Sequence, residues 1–230
     1  MNDNTELERQ IGYRFDNRKL MENALTHSSY ASEHNEAYAE NNERLEFIGD
    51  AFLDAIVGVR LYRILSDEPE GVLSKLRAEI VCERSLAGIS RKIGLGRFLF
   101  LGHGEEQQGG RNKDSILADA MEAMIGAVVI DSGYDAAEQV VLRLFGENIK
   151  LAIEGRLFRD YKTELQERLQ ERYKSIQIRY VLDREEGPDH AKTFHVHVEA
   201  RNRVLGCGAG RSKKEAEQEA AREVLSKGEL

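Results

Sequence analysis

Residues 41–59 read NNERLEFIGDAFLDAIVGV, and from Phe47 to Val59 the only charges are Asp50 and Asp54, with Glu43 and Glu46 just upstream. A second apolar run, residues 115–130, reads SILADAMEAMIGAVVI and is interrupted only by Asp119 and Glu122. Both runs have helical length and period. At about 100° per residue, Glu43, Glu46, Asp50 and Asp54 fall in one narrow stripe, and Asp119 and Glu122, three apart, share a face. Ionised carboxylates in apolar surroundings shift their pKa, find partners or bind a cation. A hard divalent cation such as magnesium takes oxygen ligands of this kind. Two acidic stripes facing each other would make such a site.

The rest of the first 155 residues is also helical in period. Candidate helices are 5–10, 17–25, 41–65, 72–93, 115–131 and 135–153. The segment GVLSKLRAEIVCERSLAGISRKIG, 71–94, is amphipathic, with Leu73, Leu76, Ile80 and Leu86 at helical spacing. A Gly-rich loop, 95–115, leads to the second acidic helix, and Asp114 or Ser115 is suited to cap it. After Gly155 the pattern changes. Helix 160–173 precedes a strand at IQIRYVLD, a turn at REEGPDHA and a strand at KTFHVHVEA. In that strand Phe194, Val196 and Val198 point inward and His195, His197 and Glu199 outward. A third strand, RVLGCG, and the helix KKEAEQEAAREVL complete an α-β-β-β-α order. The fold class is therefore an all-α domain, 1–155, followed by a small α+β domain, 156–230.

Composition narrows the function classes. The chain has 230 residues and no apolar run long enough for a membrane span. The start has neither a basic leader nor an apolar stretch, and Cys82 and Cys207 are far apart and form no motif. Both features lead to the expectation of a reduced, cytoplasmic protein. The net charge of −8 is unevenly spread: residues 157–230 carry 15 Lys+Arg against 14 Asp+Glu, and residues 1–156 carry 18 against 27. The C-terminal part is the better candidate for touching a polyanion. The glycines around 206–210 lack the spacing of a nucleotide-phosphate loop, so no nucleotide cofactor is expected.

The segment NERLEFIGDAFLD resembles the signature of the ribonuclease III family, whose pattern is close to NERLEFLGDA. LTHSSY at 25–30 and GEEQQGGRNKDSILADAMEAMIGAVVID at 104–131 extend the likeness. The C-terminal part resembles a double-stranded RNA-binding domain through YKTELQE, GPDH and GRSKKEAEQEAA. The resemblance covers nearly the whole chain, and Ile48 for Leu is the mildest of departures. It implies a homodimeric endoribonuclease that cuts both strands of double-stranded RNA with Mg2+, for which Mn2+ substitutes. Implied products have 5′-phosphate and 3′-hydroxyl ends and a short 3′ overhang, and implied substrates are ribosomal RNA precursors and some messenger and transfer RNAs.

Carried over by residue, the metal-site carboxylates are Glu46, Asp50, Asp119 and Glu122. Asp50 and Glu122 become the catalytic acids, and Glu46, Asp119 and Glu122 the metal ligands. Glu43 is a substrate-side group or one supporting the ligands, and Phe47 a dimer anchor. Gln166, Gln170, Gly187, Pro188, His190, Ser212, Lys213 and Lys214 are the expected RNA contacts. Lys213 and Lys214 open a helix after a Gly turn, so side-chain charge and helix dipole act on the same phosphates. The glutamines, one turn apart, suit 2′-hydroxyls in a shallow minor groove.

Asp54 is read as an arginine partner or a further metal ligand, His27 as a packing or capping residue or a catalytic one, and His195 and His197 as exposed sheet residues rather than a metal pair. A non-catalytic RNA-binding scaffold would have no reason to keep four carboxylates in apolar helices. A di-metal nucleotide phosphohydrolase would leave the C-terminal domain unexplained. Crowded carboxylates repel one another, so without metal at least one should hold a proton.

Overall fold

The computed structural model describes residues 4–34, 41–158, 161–174, 176–187, 192–201 and 203–227. Contacts divide the chain into two units, residues 1–157 and 158–230. The first is helical: α1 (Asn4–Ile11), α2 (Arg18–Leu25), α3 (Ser28–Glu33), α4 (Glu43–Ile64), α5 (Glu70–Ile80), α6 (Glu83–Lys92), α7 (His103–Gln107) and α8 (Asp114–Ile153). Short 3-10 turns at Leu95–Phe98 and Gly110–Asn112 shape the loop before α8.

The α8 helix is the axis of the unit, packed by α2, α4, α5 and α6. Between Ile116 and Val129 every residue is buried except Asp119 and Glu122. That girdle of apolar contacts is what a helix hydrophobic on nearly all sides requires. At Gly133 the backbone leaves helical geometry, with φ 79° and ψ −170°, dividing α8 into the two segments expected from the sequence. The left-handed φ favours glycine there.

Two local expectations are corrected. The single helix expected over 72–93 is two, α5 and α6, parted at Val81 and Cys82, where Cys82 adopts an extended ψ of 156°. The halves bury different faces. Only Ile80 of α5 is fully enclosed, whereas α6 buries Ser85, Leu86, Ala87, Ile89 and Ser90 and packs on α8. A straight helix cannot present both faces to their neighbours. Nor does Asp114 or Ser115 cap α8: the helix begins at Asp114, and that carboxylate pairs with Arg91 instead.

The second unit is α9 (Tyr161–Tyr173), β1 (Ile178–Glu186), β2 (Thr193–Ala200), β3 (Arg203–Gly210) and α10 (Lys213–Lys227). The sheet is antiparallel in the order β1-β2-β3, with Ile178 opposite Ala200 and Phe194 opposite Gly210. Leu165 and Leu169 of α9 meet Val198 of β2 and Ala220, Ala221 and Val224 of α10 in one core. Val196 and Val198 point inward as expected, while Phe194 is only partly covered. His197 Nδ1 lies 2.6 Å from Asp183 and His195 Nε2 3.2 Å from Glu186, so each has its own carboxylate neighbour. The glycines of β3 serve packing: a Cβ at Gly208 would lie 2.2 Å from the Ala220 nitrogen, so α10 rests directly on the strand. Among the described residues no helix is long and apolar enough to cross a membrane.

Candidate active site

Two glycines bring the acidic stripes together. A Cβ on Gly49 of α4 would sit 1.7 Å from the Glu122 carbonyl oxygen, and one on Gly126 of α8 would sit 2.0 Å from that of Leu45. The two helix backbones therefore touch where they cross. Glycine inside a helix costs about 1 kcal/mol relative to alanine, a cost offset here by the close approach it permits. Asp50 follows Gly49, and Glu122 stands one turn before Gly126, so this crossing sets one acidic stripe against the other.

Glu46, Asp119 and Glu122 each offer a carboxylate oxygen, and these oxygens all lie within 4.8 Å of one another. All three side chains are half-buried, and among the described residues none makes an ion pair with a lysine or arginine. Burial pushes the Glu122 carboxyl up to about 8, and the charges of Asp50, Glu46, Asp119 and Asp54 act in the same direction. Glu46 is raised by burial and then by Asp119, Glu43 and Asp50. Asp119 is raised by burial, against the opposing field of His27. The cluster thus holds a proton at neutral pH, as crowded carboxylates must when no cation is present.

Asp50 is exposed and stands outside the three-oxygen group, yet it is the strongest charge acting on Glu122. Glu43 is half-buried at the start of α4 and acts on Glu46; its backbone N–H donates to Asn41 Oδ1 at 3.2 Å. Asp54 lies 3.8 Å from Arg77, the first of the two readings open for it. Half-buried, converging and without a lysine or arginine partner, the three carboxylates fit a hard divalent ion by the chemistry of their donors.

The surroundings are tied together from distant parts of the chain. His27 caps α3: its Nδ1 accepts from the Ser29 N–H at 3.2 Å. The Gly102 N–H donates to Ser29 Oγ at 2.9 Å and the His103 N–H to Glu33 at 2.8 Å. Lys113 Nζ lies 2.5 Å from Glu105, whose carboxyl is held below its ordinary range by that hydrogen bond. Arg111 Nη1 donates to the carbonyls of Gly96 and Leu99 at 2.9 and 2.8 Å, fastening the loop ahead of α8.

Residues 17–149 match the family model described as Ribonuclease-III-like, and residues 161–227 match the double-stranded RNA binding motif. The chain belongs to the ribonuclease III family. It is 53% identical over 224 residues to the Ribonuclease 3 of Caldanaerobacter subterraneus subsp. tengcongensis, covering 97% of each chain. The solved nuclease domain of ribonuclease III from Campylobacter jejuni matches at 42% identity and a TM-score of 0.59, over 64% of this chain and 97% of that one. Another structure of that domain, described for flexibility in a region involved in dimer formation, matches at 42% identity and a TM-score of 0.59, over 64% of this chain and 98% of that one. The protein is thus a ribonuclease III-type endoribonuclease with a double-stranded RNA-binding domain.

Of the remaining expected positions, Phe47 lies next to Glu46 on α4, and the others lie in the RNA-binding domain. Phe47 is 76% exposed at the outer side of α4, the most exposed large apolar residue among those described. Gln166 and Gln170 lie exposed on one face of α9. Gly187 closes β1 with a left-handed φ of 96°, while Pro188 and His190 lie outside the described residues. Ser212 Oγ accepts from the Glu215 N–H at 3.2 Å and so caps α10. Lys213 extends over the Phe194 ring and lies 3.7 Å from Glu185; Lys214 is exposed and, among the described residues, makes no ion pair.

Sequence reading missed Gly49, Gly126 and the Arg111, Glu105 and Lys113 fastening. The glycines carried a signal, since each stands in the interior of an apolar helix where alanine is the better helix former.

Proposed function

We propose that this protein is a magnesium-dependent homodimeric endoribonuclease that cuts both strands of double-stranded RNA. Its products carry 5′-phosphate and 3′-hydroxyl ends with a short 3′ overhang, and its substrates are ribosomal RNA precursors and some messenger and transfer RNAs. Residues 1–155 form the catalytic and dimerisation domain and residues 156–230 the RNA-binding domain. The observation that carries the reading is the convergence of Glu46, Asp119 and Glu122 within 4.8 Å on a half-buried crossing without a lysine or arginine partner.

In this reading Glu46, Asp119 and Glu122 hold the divalent ion. Such an ion lowers the pKa of a bound water and neutralises charge developing on the phosphate. Asp50, exposed beside the cluster, faces the substrate and adds the negative field that keeps Glu122 suited to a cation. Glu43 supports Glu46 from the start of α4. The Gly49–Gly126 contact holds the two carboxylate-bearing helices at fixed separation, which is the preorganisation a metal site requires.

The dimer reading rests on α4. Phe47, Ala51, Ala55 and Tyr62 are exposed at helical spacing, and Phe47 and Tyr62 are 76% and 72% accessible. An apolar stripe of this kind on an otherwise charged surface is suited to a self-complementary two-fold contact. The RNA-binding domain supplies exposed Gln166, Gln170, Lys213 and Lys214 for 2′-hydroxyls and phosphates.

Incubation with long duplex RNA, with magnesium and with chelator, tests the reading. Short duplex products with 5′-phosphates should form only with the ion. Intact duplex in magnesium, or equal cutting in chelator, overturns it.

A further inference from the structure

The cations of the RNA-binding domain are sorted in space. Among the described residues half are paired, from Lys162 with Glu217 and Arg168 with Glu164 to Arg222 with Glu219 and Lys227 with Glu223. Of those without an ion pair, Lys214 and Arg211 flank the start of α10 and Arg179 lies on β1, whereas Arg172, Lys174, Arg201 and Arg203, all exposed, fall at the α9–β1 and β2–β3 connections. Segments 172–182 and 200–206, which contain them, hold no Asp or Glu. Glu223, the acid near the far end of α10, is already committed to Lys227 and to the Cys207 N–H.

Sheet register places these four together. Ala200 lies opposite both Ile178 of β1 and Arg203 of β3, so the β2–β3 turn and the start of β1 share one end of the sheet. The last turn of α9, with Arg172 and Tyr173, leads into that same end. The Arg201 guanidinium stacks 4.2 Å from the Tyr173 ring centroid, and that of Arg172 lies 5.7 Å from it. Stacking on an aromatic face holds a guanidinium in a set orientation while its N–H edges stay free for phosphate oxygens. The opposite end carries the β1–β2 connection, Ser212, Lys213 and Lys214. An eight-residue strand at roughly 3.3 Å per residue separates the two ends by about 25 Å.

We propose that this second end is a separate phosphate-binding surface, which grips the backbone of a neighbouring RNA helix while Lys213 and Lys214 face the duplex being cut. The inference rests on the reading of the domain as a binder of double-stranded RNA and goes beyond it. A domain of this kind meets one straight duplex of about 16 base pairs along a single face, and cations at the opposite end of the sheet from Lys213 and Lys214 lie away from that face. A folded RNA with helices meeting at a junction offers a second backbone. Guanidinium and ammonium groups without carboxylate partners gain from phosphate by releasing the counterions of the RNA.

The test uses the full chain in chelator, so that nothing is cut, and the variant Arg172→Gln/Lys174→Gln/Arg201→Gln/Arg203→Gln. Binding is measured to a straight duplex of about 16 base pairs and to a three-helix junction built from the same sequence. The variant should bind the straight duplex within roughly twofold of the parent and the junction roughly tenfold or more weakly at physiological salt. Its salt slope on the junction should fall by about 2 or more, at roughly 0.9 per lost phosphate contact.

Equal loss on both RNAs assigns these cations to the main duplex face, and no loss on either removes the surface; both overturn the proposal. If the fourfold variant melts early, Arg172→Gln/Lys174→Gln alone is judged by the same junction-to-duplex ratio. Parent protein that binds neither RNA would overturn the double-stranded RNA reading itself, a result distinct from loss confined to the variant.

Discussion

At the α4–α8 crossing the carboxylates of Glu46, Asp119 and Glu122 are half-buried, of one sign and without a lysine or arginine partner, whereas the RNA-binding domain sets Gln166, Gln170 and Lys214 in open solvent. The first arrangement is unfavourable to the bare fold: burial and mutual repulsion raise Glu46, Asp119 and Glu122 together. The second costs the fold little, because Gln166, Gln170 and Lys214 are exposed and hydrated. Bond-breaking chemistry needs charges held in fixed, partly dry positions, and backbone recognition needs only surface charge of the right sign and spacing.

The sharpest break of that contrast is Glu122→Gln. Removing one anionic ligand should cut the rate roughly a hundredfold or more while duplex binding in chelator changes little, since the two jobs sit on different domains. Gel cleavage beside filter binding measures both. Wild-type cutting in limiting magnesium would detach Glu122 from the chemistry.

Next in size is Gly49→Ala. Its Cβ would meet the Glu122 carbonyl oxygen at 1.7 Å, backbone against backbone, so α4 and α8 must part. Overpacking of this kind costs about 1–3 kcal/mol, more than the roughly 1 kcal/mol that alanine contributes to helix propensity. A lower melting temperature together with lost cutting is expected. The same substitution at Gly146, where a Cβ meets nothing, should be neutral or stabilising.

Phe47→Ala separates exposure from core. A side chain 76% accessible in the single chain contributes little to the monomer, so the melting temperature of dilute protein should hold while the dimer dissociates at low micromolar concentration in sedimentation. An intact dimer with a lowered melting temperature would reassign Phe47 to the fold.

The metal-free protein should also show the strain in its pH profile. Glu122 titrates near 8 in the fold against 4.5 ordinarily, so between those values the folded state keeps a proton that the unfolded chain has released. Stability is therefore full on the acid side and is lost as pH rises through about 8, with Glu46 and Asp119 shifted the same way. Melting in chelator should fall from pH 5 to pH 8, adding a divalent ion at pH 8 should restore it, and Glu122→Gln should flatten the profile. The smallest expected effect is Lys213→Gln/Lys214→Gln: duplex affinity falls, with a salt slope lower by about 2, and cutting at saturating RNA persists.

Much of the acid site was legible because charge within an apolar helix is a local anomaly. Asp119 and Glu122 stand out by sequence alone, and so does their shared face. The RNA-binding fold was legible for a similar reason: period-2 strands between two helices, with Val196 and Val198 alternating against His195 and His197. Asp50 shows the limit. It shares a stripe with Glu46, yet only the angle at which α4 crosses α8 leaves it exposed beside the three converging oxygens.

Local periodicity, charge and turn residues thus determined which elements form and which carboxylates and lysines they carry on one face. Tertiary structure decided what those elements meet. It parted α5 from α6 at Val81 and Cys82, pressed Gly49 and Gly126 into backbone contact, left Phe47 bare and gathered Arg172, Lys174, Arg201 and Arg203 at one end of a sheet. The reason is range. Hydrophobic period and helix or strand preference act over a few residues, whereas burial, pKa and charge neighbours depend on faces brought together from segments tens of residues apart.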